Sequence, residues 1–382
     1  MTTQTQLPES PPRAWAEIDL TALEHNLAFI RRHSGQAVMA VLKANAYGHG
    51  LRHIAKHLDD QNLAFFGVAN VREARMLAEE GIKTPIYLLS PTFPDEREEV
   101  VRRSWVPCLS SFEEINHFAS IVRSSNVGLG SSGGSPNRQM LAHLTLDTGM
   151  GRGGFLPGQV NEALHLLTQT PEIKLGGVGS HLPSADEDPT FTLQQFRLFD
   201  DLVTGARDLL PADALFHLSN SAGLLDYQSS TTNLVRPGLA LYGTSPLPEW
   251  QQELQPVMTL KSRIALVRKL PAGHGVSYGR SSILERDTTV ATTGIGYGDG
   301  LPRSISGKGA YFLVNGEPAP LLGRVTMDQI MLDVTELPSC HPGDEVEIFG
   351  SSHPIGHLAG WADTIPWEIL TRITPRVSRV YR

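Results

Sequence analysis

Lys43 stands at the end of an apolar run, in Ala40-Val-Leu-Lys43-Ala-Asn-Ala-Tyr47-Gly-His-Gly50. A lysine at the C-terminal end of a buried strand is partly desolvated, and desolvation lowers its pKa by disfavouring the ammonium. An amine tuned in that way is suited to form a Schiff base with an aldehyde cofactor. Ser221, in Asn220-Ser221-Ala222, follows another apolar run and opens a candidate helix, where backbone N–H groups and a hydroxyl favour a phosphate. The glycine- and serine-rich stretch 128–135 lacks the strand-glycine-helix setting and the Lys-Ser/Thr pair of a phosphate loop, so it reads as a surface loop. Cys108 and Cys340 are the only cysteines and stand far apart, which excludes a disulfide framework and argues against a cysteine-rich zinc site. No metal site is expected. Taken singly, Lys43 serves equally as a strand cap and Ser221 as an ordinary N-cap residue.

The elements around these residues separate the readings. Eight short apolar runs, at 37–43, 63–68, 85–89, 106–109, 141–146, 175–179, 214–219 and 233–236, alternate with amphipathic stretches. Eight such units are what a (β/α)8 barrel needs, and catalytic residues sit at the C-terminal ends of its strands. Leu20, Leu23, Leu27 and Ile30 mark one helix face, and Val160, Leu164 and Leu167 another. After Gly243 the texture changes: Met258, Leu260, Ser262, Ile264 and Leu266 alternate in twos, and Asn315-Gly316 between apolar runs predicts a type I′ hairpin. The runs 325–334 and 346–349 extend the β pattern, and a short helix is expected over 367–373. The expected fold is α/β, an N-terminal (β/α)8 barrel followed by a mostly β C-terminal domain, with a disordered leader at 1–13, the barrel at 14–249 and the β-rich domain at 250–382. Among 382 residues, 32 basic against 40 acidic side chains give a net charge of −8, which leaves no basic field for nucleic acid or an anionic membrane. The absence of a signal segment or long apolar run points to a cytoplasmic protein.

Lys43-Ala-Asn-Ala-Tyr-Gly-His-Gly resembles the pyridoxal-phosphate lysine motif of the alanine racemases, and the likeness runs from Ala16-Glu-Ile-Asp-Leu20 to Arg376-Val-Ser-Arg379 with the family's motifs in order. The resemblance implies pyridoxal 5'-phosphate as cofactor, alanine as substrate, and a head-to-tail homodimer whose sites combine one barrel with the other chain's β domain. It implies that Lys43 carries the cofactor and acts on one face of the substrate, while Tyr278, in Val276-Ser-Tyr278-Gly-Arg280, acts on the other. Stereoinversion needs a proton donor and acceptor on each face. Arg152, in Asp147-Thr-Gly-Met-Gly-Arg152, is implied to bond the cofactor's phenolic oxygen and approach the substrate carboxylate, and a planar guanidinium suits both. His181 is implied to join the catalytic network, and Tyr47, Ser221, Gly238 and Leu239 to hold the phosphate. Arg236 is implied to face the pyridine nitrogen, where a guanidinium disfavours protonation and makes a shallow electron sink. Gly296-Tyr297-Gly-Asp299-Gly and Thr326-Met327-Asp328-Gln329 match motifs that line the entrance and pocket, with Met327 on the substrate. Read alone, His181 is a core histidine, Arg236 a turn residue and Tyr278 a strand tyrosine.

Two residues depart from the family pattern. Thr145 stands where a lysine, often carbamylated, is usual, and a short neutral hydroxyl cannot supply that negative charge. Trp367, in Pro366-Trp-Glu-Ile, stands where a tyrosine is usual and implies a preference for alanine over serine. Two alternatives share the cofactor. A barrel-type decarboxylase of basic amino acids calls for a Glu-Pro-Gly-Arg string and a reactive cysteine setting that Ser339-Cys340-His341-Pro342 does not provide. A non-enzymatic pyridoxal-phosphate carrier would lack the long β-rich tail.

Overall fold

The computed structural model describes residues 12–127 and 139–382, so the stretch 128–135 and most of the expected leader lie outside the described residues. The chain divides into two compact units, Leu23–Gln255 and the N-terminal residues through Ala22 joined with Pro256–Arg382.

A strand β1 (Ala14–Ile18) precedes the first unit. The eight apolar runs then form β2 (Ala37–Val41), β3 (Phe65–Val68), β4 (Ile86–Leu88), β5 (Val106–Leu109), β6 (Met140–Thr145), β7 (Ile173–Gly179), β8 (Leu215–His217) and β9 (Leu234–Val235). They form one parallel eight-stranded sheet in the order β8-β7-β6-β5-β4-β3-β2-β9. Backbone bonds from Asn233 N to Phe216 O, 3.0 Å, and from Arg236 N to Ser219 O, 3.0 Å, join β9 to β8 and close the barrel. Inside it, Met39, Phe65, Tyr87, Val106, Cys108 and Leu234 form a buried cluster. Each such side chain contributes roughly 1.5–3 kcal/mol by leaving water. The helix Leu20–Ser34 buries Leu23, Leu27 and Ile30, and Val160–Thr168 buries Val160, Leu164 and Leu167, as the 3.6-residue spacing requires.

The second unit contains β10 (Met258–Leu270), β11 (Gly275–Val276), β12 (Ser282–Ile283), β13 (Thr288–Thr293), β14 (Tyr311–Val314), β15 (Glu317–Leu322), β16 (Ile330–Asp333), β17 (Glu345–Phe349) and β18 (Ser378–Tyr381). The sheet order is β13-β16-β15-β14-β17-β10-β1-β18, and a further pairing of β13 with β10 closes six of these strands into a ring. Its pairings are antiparallel except β1 with β18. Asn315 and Gly316 have φ of 51° and 88°, the two left-handed positions of a type I′ turn. The alternation of β10 holds from Met258 to Ile264 and then fails: Leu266 is 47% exposed because the register with β13 shifts between Ile264 and Leu266. The short helix expected near 367 runs Pro366–Arg372.

The N-terminus differs from the sequence expectation. β1 lies in this second sheet, pairing antiparallel with β10 and parallel with β18. Its buried run resembles a barrel strand, but the barrel's count is complete without it. Arg13, expected in the disordered leader, donates to both carboxylate oxygens of the buried Asp299 at 2.8 and 2.6 Å. Among the described residues no helix is long and apolar enough to cross a membrane.

Candidate active site

β2 ends at Val41, and Lys43 leads directly into a single left-handed turn, Ala44, Asn45, Ala46 and Tyr47 having φ of 53°, 57°, 54° and 51°. Left-handed L-residues cost roughly 1–2 kcal/mol each. The turn is held by its surroundings: Glu73 accepts from Ala44 N at 2.7 Å and from Ala69 N at 2.9 Å, and the Asn45 side chain accepts from Leu51 N at 2.9 Å. Burial lowers the pKa of Lys43, and the positive charges of Arg152 and Arg236 push the same way against the opposing pull of Glu73. The turn also carries Tyr47 inward until its hydroxyl would lie 2.3 Å from a Cβ built on Gly238, so that position has no room for a side chain.

Arg236 follows β9 and is buried. Its Nη1 donates to His217 Nδ1 at 2.6 Å and to the His217 carbonyl at 2.8 Å, while Nη2 donates to the Ser180 carbonyl at 2.6 Å and to His181 Nδ1 at 3.3 Å. A guanidinium only donates, so both Nδ1 atoms are acceptors and both rings carry their proton on Nε2. His217 Nε2 then donates to His143 Nδ1 at 2.9 Å, and His143 in turn is the Nε2–H tautomer. Burial, with the charge of Arg236, pushes His143 and His181 down to about 3 and His217 well below its usual value, so all three are neutral at pH 7. Burial lowers Arg236 to about 10, which leaves it charged.

The rings of His143 and His217 lie where β7 has no side chains. A Cβ on Gly177 would approach His143 Cε1 to 2.8 Å, and one on Gly179 would approach His217 Cε1 to 2.1 Å. His143, His217 and Glu73 were not anticipated from sequence. The signal available was the Gly176-Gly177-Val178-Gly179 strand, whose glycines report a close approach by something bulky.

Ser221 begins the helix Ser221–Asp226, capped by Asn220 accepting from Gly223 N. The Ser221 Oγ accepts from Gly238 N at 3.0 Å and Ala240 N at 3.1 Å, which leaves its own proton to donate. Leu239 lies buried between those two amides. Arg152 is exposed on the loop after β6. The Asp147 carboxylate in that loop accepts from Gly149 N at 2.9 Å and from Gly151 N at 3.1 Å, so it is engaged by the loop's own backbone. Thr145 hydrogen-bonds the Cys108 thiol, whose pKa burial raises to about 12. The barrel unit therefore brings together Lys43, Tyr47, His181, Ser221, Arg236, Gly238 and Leu239, with Arg152 close enough to act on Lys43 and His181.

Tyr278 and Met327 belong to the β-rich unit, where they are 71% and 51% exposed. Two loops there are tied by one charged cluster: Asp299 accepts from Gly296 N at 2.9 Å and from Arg13, while Arg376 reaches Asp328 at 2.6 Å and Asp299 at 3.4 Å. This fixes the loops bearing Tyr297 and Met327. Trp367 occupies the first turn of the helix Pro366–Arg372 and is half-buried.

A parallel barrel with a desolvated lysine just beyond a strand end has the setting of an enzyme whose chemistry runs through a barrel lysine. Residues 18–246 match the family profile described as alanine racemase, N-terminal domain, and residues 257–381 that of the alanine racemase C-terminal domain. The chain is 37% identical to the alanine racemase of Sorangium cellulosum over 96% of its own length and 98% of that protein's, and 35% identical to that of Halothermothrix orenii, covering 96% of each. It superposes on the crystal structure of alanine racemase from Streptomyces lavendulae with a TM-score of 0.88 at 34% identity, covering 98% of both chains. The alanine racemase of Bartonella henselae, described with covalently bound pyridoxal phosphate, gives a TM-score of 0.87 at 29% identity, covering 97% of this chain and all of that one. The chain belongs to the alanine racemase family, a family of pyridoxal-phosphate-dependent racemases.

The residues present fit that cofactor. They offer a half-buried amine, a charged arginine lodged among neutral histidines, and a cradle of Tyr47, Ser221 and the backbone at Gly238, where a Cβ would fill the space.

Proposed function

We propose that this chain interconverts L- and D-alanine with pyridoxal phosphate bound at Lys43, in the cytoplasm, as a homodimer that shares its active sites. The observation that carries the reading is Lys43, whose burial and cationic neighbours lower its pKa at the exit of a barrel strand. Tyr47, Ser221 and the amides around Gly238 and Leu239 are the residues we assign to the phosphate, and Arg236 to the pyridine nitrogen. Bound there, the cofactor supplies an aldehyde for the amino group and an electron sink that acidifies the Cα–H.

The chain's own groups then have separate tasks. Lys43, with its lowered pKa, takes or returns a proton on one face of the substrate. Tyr278 does so on the other, and Met327 contributes to the substrate pocket. Arg152 holds the substrate carboxylate. Arg236 only donates, so facing the pyridine nitrogen it would disfavour protonation there and keep the electron sink shallow. His181, its Nδ1 turned to Arg236, keeps its Nε2–H as a donor for the Tyr278 oxygen. Trp367 forms a bulky wall that favours alanine over serine.

The purified chain, supplied with cofactor and single L-amino acids, is expected to yield D-alanine from L-alanine by chiral chromatography, with serine turned over more slowly. No D-alanine would reject the function, and equal turnover of serine would reject the role of Trp367.

A further inference from the structure

Tyr278 is carried on the loop of a very short hairpin, in which β11 pairs with β12 through Gly275 with Ile283 and Val276 with Ser282. Val276 is anchored in a buried cluster with Leu270, Leu284 and Val290. Between the strands the backbone departs from ordinary L-residue geometry: Ser277 has φ 66° and ψ −179°, Gly279 φ 70° and Arg280 φ 47°. The first of these is a conformation that belongs almost entirely to glycine. It persists because the Ser277 hydroxyl donates to the Arg324 carbonyl at 2.7 Å, while Arg280 N donates to the Ser277 carbonyl at 3.1 Å. Gly323, itself at φ 70°, makes room for this contact, since a Cβ there would lie 2.6 Å from the Ser277 Cβ and 2.9 Å from the Val276 carbonyl. The residue beyond Tyr278 is constrained too: the Arg280 side chain lies over Gly275, where an added Cβ would come within 2.7 Å of Arg280 Nε.

We propose that Ser277 is a positioning residue, whose hydroxyl, bonded to the Arg324 carbonyl, holds the left-handed backbone that presents Tyr278. The inference rests on Tyr278 acting at the substrate, as proposed above. Any L side chain at Ser277 pays the steric penalty, and only one with a hydroxyl gains the bond that offsets it. Alanine keeps the penalty and loses the bond; glycine loses both.

The ranking of variants in the cofactor-loaded full chain is therefore the test. Ser277→Ala is expected to lower kcat about tenfold with little change in KM, and Ser277→Gly to lose no more than about threefold. Amide hydrogen exchange in the segment 275–282 is expected to quicken in Ser277→Ala, with the thermal midpoint of Ser277→Gly at or above that of Ser277→Ala. An unstrained loop serine gives the reverse order, since alanine is then harmless and glycine adds backbone freedom. Gly323→Ala reaches the same contact from the other side and is expected to match Ser277→Ala. Wild-type kcat in Ser277→Ala or Gly323→Ala, or a Ser277→Gly chain worse than Ser277→Ala, overturns the proposal. Tyr278→Phe is measured alongside: an inactive chain supports the premise, whereas full activity would refute the role of Tyr278 itself and, with it, the catalytic consequence of the loop.

Discussion

Arg152 has the chemistry to grip a carboxylate, and among the described residues no carboxylate forms an ion pair with it. Asp147, the nearest acid in sequence, accepts from Gly149 and Gly151 amides, and Thr145 is occupied by the Cys108 thiol. Around the same site stand Lys43 and Arg236, both positive influences on their neighbours. Like charges gathered in a partly water-excluded place favour an anion between them. A small anion beside Thr145 would supply the charge with little added volume, at the position where the family resemblance implies a carbamylated lysine. Racemisation in a halide-free preparation is therefore expected to rise about tenfold on adding chloride, about 1.4 kcal/mol, near the lower bound for a hydrogen bond to a charged group. Bicarbonate is expected to have no effect. A rate indifferent to halide, with a structure showing a carboxylate on Arg152, would decide against the anion.

The strand β7 shows how an element can be sacrificed to the side chains that cross it. Three glycines in Ile173–Gly179 weaken a strand intrinsically, yet Gly177 and Gly179 leave the space that the His143 and His217 rings fill. Gly179→Ala places a Cβ about on top of the His217 ring, in a packed interior with nowhere to yield. We expect a loss of roughly 1–3 kcal/mol from overpacking, a lower thermal midpoint, and reduced activity as Arg236 loses its seat. Gly205→Ala, at a helix end with nothing within 4 Å of the new methyl, is the control and should leave the midpoint unchanged or slightly higher. Equal midpoints for the two variants would contradict this account. These same glycines mark the limit of what the sequence discloses. The eight barrel strands were legible because each is an apolar run with turn residues at its ends, and the Asn315-Gly316 hairpin because its turn type demands those residues. Lys43 was legible from its place after such a run. The link from Arg236 through His217 to His143 was not, because it joins β6, β8 and β9, and period-two patterning says nothing about which strands meet across a barrel interior. The boundary at 14 placed residues 14–18 with the barrel for the same reason, since an apolar run reads identically whichever sheet receives it.

At the scale of the whole molecule the two proposed bases belong to different compact units, Lys43 to Leu23–Gln255 and Tyr278 to the unit built around Pro256–Arg382. Tyr278, Tyr297, Met327 and Ile365 are all exposed on the latter unit, and three of them sit in motifs expected to face a substrate. The proposed homodimer gives them a use, because each chain's Tyr278 then serves the Lys43 of the other. A two-fold dimer makes the idea quantitative. Lys43→Ala and Tyr278→Phe chains are each expected to be nearly inactive, since one lacks the cofactor amine and the other the second base. Mixed in equal amounts and allowed to exchange, half the dimers hold one chain of each kind, and in these one site carries both defects while the other is whole. About a quarter of the wild-type activity should therefore return. A differently sized tag on one chain shows by mass whether exchange has taken place. Recovery in exchanged mixtures, and none in unexchanged ones, is the expected result; exchanged mixtures that remain inactive would place Lys43 and Tyr278 in the site of a single chain.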